Sequence, residues 1–311
     1  MCLDLSPLPA DLRLDRFLAQ PASTKTCGLH TPYKQQVWLP DENVNQGHWQ
    51  SVNRGLKRLH PSPVAAAGAA NQSTGSVGVS IARVKCRILL DFDGTIAPVD
   101  TTDLLLERFA APAWHDIEED WKAGRIGSRE CMIRQIDLVR ATPAAMDAFI
   151  GSVEIDPGFG GFVSRFRRLG HTLLVLSDGL DRTIRTLLDR ADIDIPYFAN
   201  HLQWRGGDRW RLAFPHSKST CVALAGNCKC SFADAWPRQI NIVVGDGRSD
   251  FCLAERADLV LAKGPLLEHC RRADLPHFGF DDFCQATELL AGWLDGRASS
   301  TANASARAIE E

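Results

Sequence analysis

A buried apolar run that ends in two carboxylates constrains this chain more than any other feature. Residues 86–95 read Cys-Arg-Ile-Leu-Leu-Asp-Phe-Asp-Gly-Thr. The apolar residues 88–90 predict a strand covered on both faces, and Gly94 allows the chain to turn sharply after it. Strands of this kind belong to parallel sheets. Asp91 and Asp93 are therefore expected at the carboxyl edge of such a sheet, where open α/β folds bind their ligands.

The spacing of the two aspartates indicates a shared small site. Carboxylates two positions apart on an extended strand point the same way, so their charges repel unless a cation lies between them. Mg²⁺ relieves that repulsion and also binds phosphate oxygens. The alternative interpretation of Asp91 and Asp93 is a pair of solvated aspartates in a turn.

Two later apolar runs also end in polar residues. Residues 172–176 lead into Ser177-Asp178-Gly179, which offers a hydroxyl and loop N–H groups to a phosphate. Residues 240–244 lead into a glycine-rich turn that contains Asp246 and Asp250. Because parallel strands end at one edge of a sheet, we expect these side chains to gather beside Asp91 and Asp93.

A lysine, Lys229, stands between these last two runs as a candidate fixed positive charge, although taken alone it would be a solvated surface residue. The four segments in this order resemble the motifs of the haloacid dehalogenase superfamily of Mg²⁺-dependent phosphatases, and the resemblance covers about residues 84–290. It implies an α/β fold: a Rossmann-like, mostly parallel sheet core with a small helical cap inserted after the first catalytic strand.

Less widely shared stretches place the chain in a branch of that superfamily. It resembles the phosphoserine-phosphatase-like branch, and most of all the methionine-salvage phosphatases that act on 2-hydroxy-3-keto-5-methylthiopentenyl-1-phosphate. The stretches are Phe109-Ala-Ala-Pro-Ala-Trp114, Tyr197-Phe-Ala-Asn-His201, Phe214-Pro-His-Ser217 and Gly226-Asn-Cys-Lys-Cys230.

The resemblance implies a role for each candidate site residue. Asp91 would be the nucleophile that forms an aspartyl-phosphate, and Asp93 the general acid and base. Mg²⁺ would be held by Asp91, the backbone carbonyl of Asp93 and Asp246, with Asp250 as a ligand or an orienting group.

The phosphate itself would meet a second set of groups. Ser177 and the N–H groups of Asp178 and Gly179 would bind a phosphate oxygen. Lys229 would neutralise Asp91 and the phosphate and stabilise the charge of the transition state.

Asp100 lies where the phosphoserine-specific relatives carry a glutamate that binds the substrate ammonium group. The shorter acid weakens the case for an amino-acid substrate. A helix cap formed by Asp100 or Thr102 is an equal alternative.

Composition excludes several function classes. The 311 residues are 45% hydrophobic and 23% charged, as in a soluble globular protein with a large core. A net charge of -3 gives no electrostatic reason for nucleic-acid or membrane partners. No run approaches the roughly 18 apolar residues of a spanning helix. The first six residues lack the pattern of a secretory signal, which predicts a cytoplasmic location.

The cysteines include one possible metal cluster. Ten cysteines are spread unevenly over the chain, unlike the framework of a small secreted domain. Cys221, Cys228 and Cys230, with His216, are zinc ligand types. However, the Cys-Lys-Cys spacing differs from that of zinc knuckles, and Lys229 would place a positive charge beside the ion. We therefore expect local thiols here.

Composition shifts and periodicity predict the domain organisation. Residues 1–80 are rich in proline and small residues and predict a disordered extension. Residues 81–97 and 156–295 would form the core, residues 98–155 the helical cap, and residues 296–311 a flexible tail. Within the core we expect strands at 172–177, 240–244 and 259–261, and a hairpin of 197–202 with 209–214.

The function predicted from these observations is hydrolysis of a small phosphorylated metabolite, and the resemblance implies the enol-phosphate of methionine salvage as the substrate. Phosphoserine or a phosphorylated amino alcohol is the alternative substrate. A catalytically silent binding module is the alternative of another class, and a phosphotransferase would use the same residues. The sequence leaves a homodimer open.

Overall fold

The structure is a computed structural model and describes residues 85–234 and 239–310, with side chains as far as Arg297. The predicted extension over residues 1–80 lies outside the described residues, so it stays a prediction.

A seven-stranded sheet forms the centre of the described region. Its strands in chain order are β1 (Cys86–Leu90), β2 (Thr172–Leu180), β3 (Tyr197–Trp204), β4 (Trp210–Ala213), β5 (Ile240–Gly245), β6 (Leu259–Ala262) and β7 (His277–Gly279). Their spatial order is β4-β3-β2-β1-β5-β6-β7. All neighbours are parallel except β3 and β4. The predicted mostly parallel core and its hairpin are confirmed.

Helices fill the connections. They are α1 (Thr101–Phe109), α2 (Trp114–Lys122), α3 (Ser128–Ile136), α4 (Pro143–Ile150), α5 (Phe159–Arg168), α6 (Asp181–Arg190), α7 (Cys230–Asp234), α8 (Phe251–Ala254), α9 (Gly264–Arg272) and α10 (Phe283–Glu310). Five of them, α1 to α5, lie between β1 and β2, and the first four fall within residues 98–155. This confirms the expected helical insert, which we call the cap.

Two elements differ from the sequence-based prediction. Strand β7 was not predicted, because its three residues show neither an apolar run nor a clear alternation. Helix α10 continues through Gly296 to Glu310, where a loose tail was expected. Alanine recurs in this stretch and is the strongest helix former, which accounts for the helix. The flexibility of the tail stays a prediction.

The core packs on both faces of the sheet. Ile88 and Leu90 of β1 belong to one apolar cluster, together with aromatic residues of α5 and α10. Leu89 between them belongs to a second cluster on the opposite face. All three are fully buried, and burying each such side chain is worth ~1.5–3 kcal/mol. The end of β1 is thereby held rigidly at the middle of the sheet.

None of the helices within residues 85–234 and 239–310 combines the length and hydrophobicity that a membrane span requires.

Candidate active site

The site begins where β1 ends. The backbone nitrogen of Asp91 still donates to the carbonyl of Val244 at 2.8 Å, so the ladder to β5 fixes the position of the aspartate. Its carboxylate accepts a hydrogen bond from Phe92 N at 2.7 Å through Oδ1. Asp91 is only 7% exposed. A carboxylate is therefore placed at the edge of the sheet in a largely dry surrounding.

Gly94 allows the carboxylate of Asp246 to lie close to the loop that follows β1. Its φ is +72°, a conformation that favours glycine. A Cβ atom at this position would lie 2.3 Å from Oδ2 of Asp246. Thr95 then donates its hydroxyl to Oδ1 of Asp246 at 2.7 Å. The loop after β1 and the loop after β5 can approach this closely only because residue 94 has no side chain.

Lys229 lies between two buried aspartates. Its Nζ atom is 2.7 Å from Oδ1 of Asp91 and 2.8 Å from Oδ1 of Asp250. Ser249 accepts a third hydrogen bond from it at 3.0 Å. Burial alone lowers the pKa of Lys229, but the charges of Asp250 and Asp91 outweigh it and hold the pKa above its ordinary value. The lysine is thus a fixed positive charge inside the site.

Three carboxylates of the site have the donor arrangement of a metal centre. One oxygen from each of Asp91, Asp246 and Asp250 lies within 4.8 Å of the other two. Burial, followed by the charge of Asp250, raises the pKa of Asp91 well above its usual range. When all three are ionised, Lys229 leaves two negative charges uncompensated, which a divalent cation would balance. Oxygen donors of this type suit Mg²⁺.

Asp93 points away from this cluster and toward the cap. Its Oδ1 atom accepts hydrogen bonds from the backbone nitrogen of Thr101 at 2.9 Å and from the hydroxyl of Thr101 at 2.5 Å. Burial raises the pKa of Asp93 to about 7, and the charge of Asp100 adds to the effect. A carboxyl group with such a pKa gives and takes protons near neutral pH, as a general acid and base must.

Residues 177–179, at the carboxyl end of β2, lie against Asp93. We call them the phosphate loop, after the role that the resemblance implies for them. A Cβ atom on Gly179 would be 2.1 Å from Oδ2 of Asp93, so the second oxygen of Asp93 faces this loop. Ser177 is fully buried, and its Oγ atom accepts a hydrogen bond from Gly179 N at 2.9 Å. The sequence assigned the Gly179 N–H to a phosphate oxygen. In the structure this N–H donates to the side chain of Ser177, a local hydrogen bond of a kind that serine side chains often form with nearby backbone.

The side chain of Asp178 forms hydrogen bonds that the sequence did not predict. Only its backbone N–H had been assigned, to a phosphate oxygen. Its Oδ1 atom accepts from Asn227 N at 2.8 Å and from Asn200 Nδ2 at 3.0 Å. Its Oδ2 atom accepts from the hydroxyl of Ser128 in the cap at 2.6 Å. The carboxylate therefore joins the carboxyl end of β2 to β3, to the segment before Lys229 and to the cap.

Asp100 caps helix α1. Its Oδ1 atom accepts from Thr102 N and Asp103 N, both at 2.9 Å. The helix-cap alternative accounts for these contacts. A contact of Asp100 with substrate stays a prediction.

The cysteines near Lys229 form no candidate metal site within the described ranges, where the acidic cluster alone meets the ligand geometry. The Sγ atoms of Cys228 and Cys230 lie 3.6 Å apart as free thiols. His216 packs against the rings of Phe198 and Phe232. The expectation of local thiols without a metal stays a prediction.

Several residues of the site were missed by reasoning from the sequence. Thr95 and Ser249 lie inside the predicted motifs. A hydroxyl residue so close in sequence to a catalytic aspartate could have been recognised as a hydrogen-bonding partner in the site. Ser128 lies outside those motifs, whereas Asn200 and Asn227 lie in stretches that carry the closer resemblance but were assigned no role. Their roles depend on contacts between distant parts of the chain, which no local pattern announces.

Comparison with known proteins agrees with this geometry. A model of the haloacid dehalogenase-like hydrolases matches residues 88–255, more than half of the chain. The 2-hydroxy-3-keto-5-methylthiopentenyl-1-phosphate phosphatase of Geobacillus thermodenitrificans is 29% identical over 211 residues, which cover 65% of this chain and 94% of the relative. A polyol phosphate phosphatase of Saccharomyces cerevisiae is 26% identical over 235 residues, which cover 67% of this chain and 95% of the relative.

A solved structure shares the fold. An HAD family hydrolase from Salmonella enterica serovar Typhi superposes with a TM-score of 0.50 at 19% identity, covering 64% of this chain and 69% of that one. The family match and the phosphatase relatives lead to one conclusion. The chain belongs to the haloacid dehalogenase-like hydrolase family, as a phosphoric monoester hydrolase.

Proposed function

We propose that this protein hydrolyses a small phosphorylated metabolite with Mg²⁺, through an aspartyl-phosphate formed on Asp91. One observation carries the proposal. The ammonium group of Lys229 lies within 2.8 Å of Asp91 and Asp250, and Asp246 completes a buried carboxylate cluster beside them. A buried cluster with this surplus of negative charge suits a divalent cation, which in turn binds phosphate oxygens.

The metal site follows from the same residues. Asp91, Asp246 and Asp250 would hold Mg²⁺ with their side-chain oxygens. Once bound, Mg²⁺ supplies positive charge that screens the repulsion between the Asp91 carboxylate and the phosphate. Thr95 keeps one oxygen of Asp246 oriented by its hydrogen bond at 2.7 Å.

Asp91 then acts as the nucleophile. One of its carboxylate oxygens forms a bond to phosphorus, and the bond from phosphorus to the ester oxygen breaks. Asp93 gives its proton to the departing alkoxide through the oxygen that Thr101 leaves unbound, which faces the phosphate loop. General acid assistance of this kind is typically worth ~10²–10⁴-fold in rate.

Hydrolysis of the aspartyl-phosphate uses Asp93 in the opposite direction. The carboxylate takes a proton from water as the water oxygen attacks phosphorus, and the bond between phosphorus and Asp91 breaks. Lys229, 2.7 Å from Asp91, would stabilise the charge that develops in both steps. The Ser177 hydroxyl, which accepts a hydrogen bond from Gly179 N, would donate its own proton to a phosphate oxygen.

The substrate we propose is 2-hydroxy-3-keto-5-methylthiopentenyl-1-phosphate. Support comes from the relatives that carry this activity in their names, among them the Geobacillus enzyme at 29% identity. The shorter acid at Asp100, where phosphoserine-specific relatives carry a glutamate, also favours it over an amino-acid substrate. Phosphoserine is the alternative, and the yeast relative adds polyol phosphates to the candidates.

A substrate panel tests this proposal. Turnover divided by Michaelis constant should rank the enol-phosphate above phosphoserine and polyol phosphates. A lead of phosphoserine by ~10-fold, about 1.4 kcal/mol in transition-state preference, would overturn the choice of substrate.

A pair of variants tests the chemistry. Asp91→Asn should abolish turnover of every phosphate in the panel while the protein stays folded. Asp116→Asn, at an exposed position of α2, is the matched control and should keep full activity. Transfer of phosphate to an added alcohol, seen in the products, would identify a phosphotransferase instead.

A further inference from the structure

One edge of the cap contacts three core segments beside the site: the carboxyl end of β2, the segment before Lys229 and the loop after β5. This cap edge comprises residues 122–129, from the end of α2 to the start of α3. Three hydrogen bonds join it to the core: Arg248 Nη1 to Lys122 O at 3.2 Å, Arg129 N to Leu224 O at 3.2 Å, and Ser128 Oγ to Asp178 Oδ2 at 2.6 Å. The cap is therefore fastened beside the phosphate site.

The hydrogen bond from Ser128 ends at Asp178, a residue that also contacts other segments of the site. Asp178 directly follows Ser177, and its other oxygen accepts from the backbone of Asn227, two residues before Lys229. A Cβ atom on Gly226 would lie 2.8 Å from that same oxygen, so the packing there is close. Through Asp178, the hydrogen bond from the cap therefore links the cap both to the phosphate loop and to residues 226–229.

We propose that Ser128 is a positioning residue, which latches the cap edge onto Asp178 and so holds the cap closed over the phosphate site. The proposal rests on the proposed function for its effect on the reaction, but not for the latch itself. Ser128 lies in the cap, outside the four motifs of the family.

The chemistry of the contact favours this role over a local one. A serine at the start of a helix caps it when it stands at the capping position. Here the hydroxyl donates to a carboxylate 50 residues away, and Gly127 occupies the capping position. A hydroxyl-to-carboxylate bond is charge-assisted and stronger than a neutral one. It is also the only one of the three cap-edge contacts that joins two side chains.

Loss of the hydrogen bond between Ser128 and Asp178 should weaken substrate binding. If the closed cap is the form that binds substrate, the apparent affinity falls in proportion to the closed fraction. Asp178 keeps its bonds to Asn227 and Asn200 when Ser128 is removed. The phosphate loop therefore stays assembled, and binding of a ligand too small to need the cap should not change.

Hydrogen exchange tests the latch without any activity. In Ser128→Ala, the backbone amides of the cap edge and of residues 221–227 should exchange at least ~5-fold faster than in the wild type, because local opening there becomes easier. Ser152→Ala is the matched control, since within the described residues the Ser152 hydroxyl donates to Phe149 O in its own turn of the cap. Unchanged exchange in Ser128→Ala would overturn the latch.

Kinetics tests the positioning role. The Michaelis constant for the preferred substrate should rise ~5-fold in Ser128→Ala with the turnover number within twofold, while inhibition by inorganic phosphate stays within twofold. Ser128→Thr should restore the wild-type constant. In an Asp178→Ala background, adding Ser128→Ala should change little, because the two residues act as one unit.

The outcomes separate the two proposals. If the wild-type protein hydrolyses none of the phosphate esters in the panel, the proposed function is refuted. The hydrogen-exchange comparison would still show whether Ser128 holds the cap edge to Asp178. Weaker inhibition by inorganic phosphate in Ser128→Ala, matching the rise in the Michaelis constant, would mean that the phosphate loop itself is damaged and would overturn the positioning role.

Discussion

Thr101, the first residue of the cap, holds one oxygen of Asp93 with two hydrogen bonds, from its backbone nitrogen and from its hydroxyl. Both bonds go to Oδ1, whereas Oδ2 lies against Gly179 of the phosphate loop. The cap thereby sets the orientation of the residue that we propose as general acid and base.

Thr101→Val removes the hydroxyl and keeps the shape. We expect the turnover number to fall ~10-fold, about 1.4 kcal/mol, with little change in the Michaelis constant, because a bond that orients Asp93 affects the chemical step. Steady-state kinetics measures this. Thr101→Ser should restore activity, whereas Thr102→Val should have no effect, since the Thr102 hydroxyl makes no hydrogen bond within the described residues.

Gly94→Ala should be much more damaging than Gly124→Ala. Both glycines have a φ of +72°, so both substitutions carry the backbone strain of ~1 kcal/mol. Only at Gly94 would the new methyl group meet another residue, Asp246 at 2.3 Å, whereas Gly124 has open space around it. Thermal unfolding and turnover of the two variants should therefore differ, with activity lost in Gly94→Ala alone. Equal effects would mean that the close approach to Asp246 is unimportant.

Removal of divalent metal should abolish activity. EDTA should stop turnover, and Mg²⁺ should restore it, but Ca²⁺ should not, because the larger ion adopts higher coordination numbers and would disturb the in-line geometry. A binding readout accompanies this. Mg²⁺ should raise the melting temperature of the metal-free protein, since a ligand of the folded state stabilises it. In Asp246→Asn this increase should be smaller, and an undiminished increase would place the ion elsewhere.

Asp93→Asn should remove turnover and leave the fold intact. The amide cannot deliver the proton that the leaving alkoxide needs, so the expected loss is ~10²–10⁴-fold. Circular dichroism and thermal unfolding would verify the fold. Because a good leaving group needs less protonation, an aryl phosphate should lose less activity in this variant than an alkyl phosphate. Equal losses for the two substrates would argue against an acid role for Asp93.

The sequence by itself determined the sheet and the candidate residues at its edge. Asp91, Ser177 and Asp246 each follow an apolar run, and buried runs of this length form parallel strands that end at one edge. The structure accordingly brings Asp91, Asp246 and Asp250 together around Lys229. That much depends on local hydrophobic pattern and strand direction, which a sequence carries.

Only the tertiary structure decided how the polar groups pair. Nothing local links Thr101 to Asp93, or Ser128 to Asp178 across 50 residues, because a hydroxyl in a helix start has many possible acceptors. The engagement of the Gly179 N–H by Ser177 and the short strand β7 were likewise not foreseen. Hydrogen bonds are short and directional, so their partners are fixed only when packing has brought distant segments to within about 3 Å of one another.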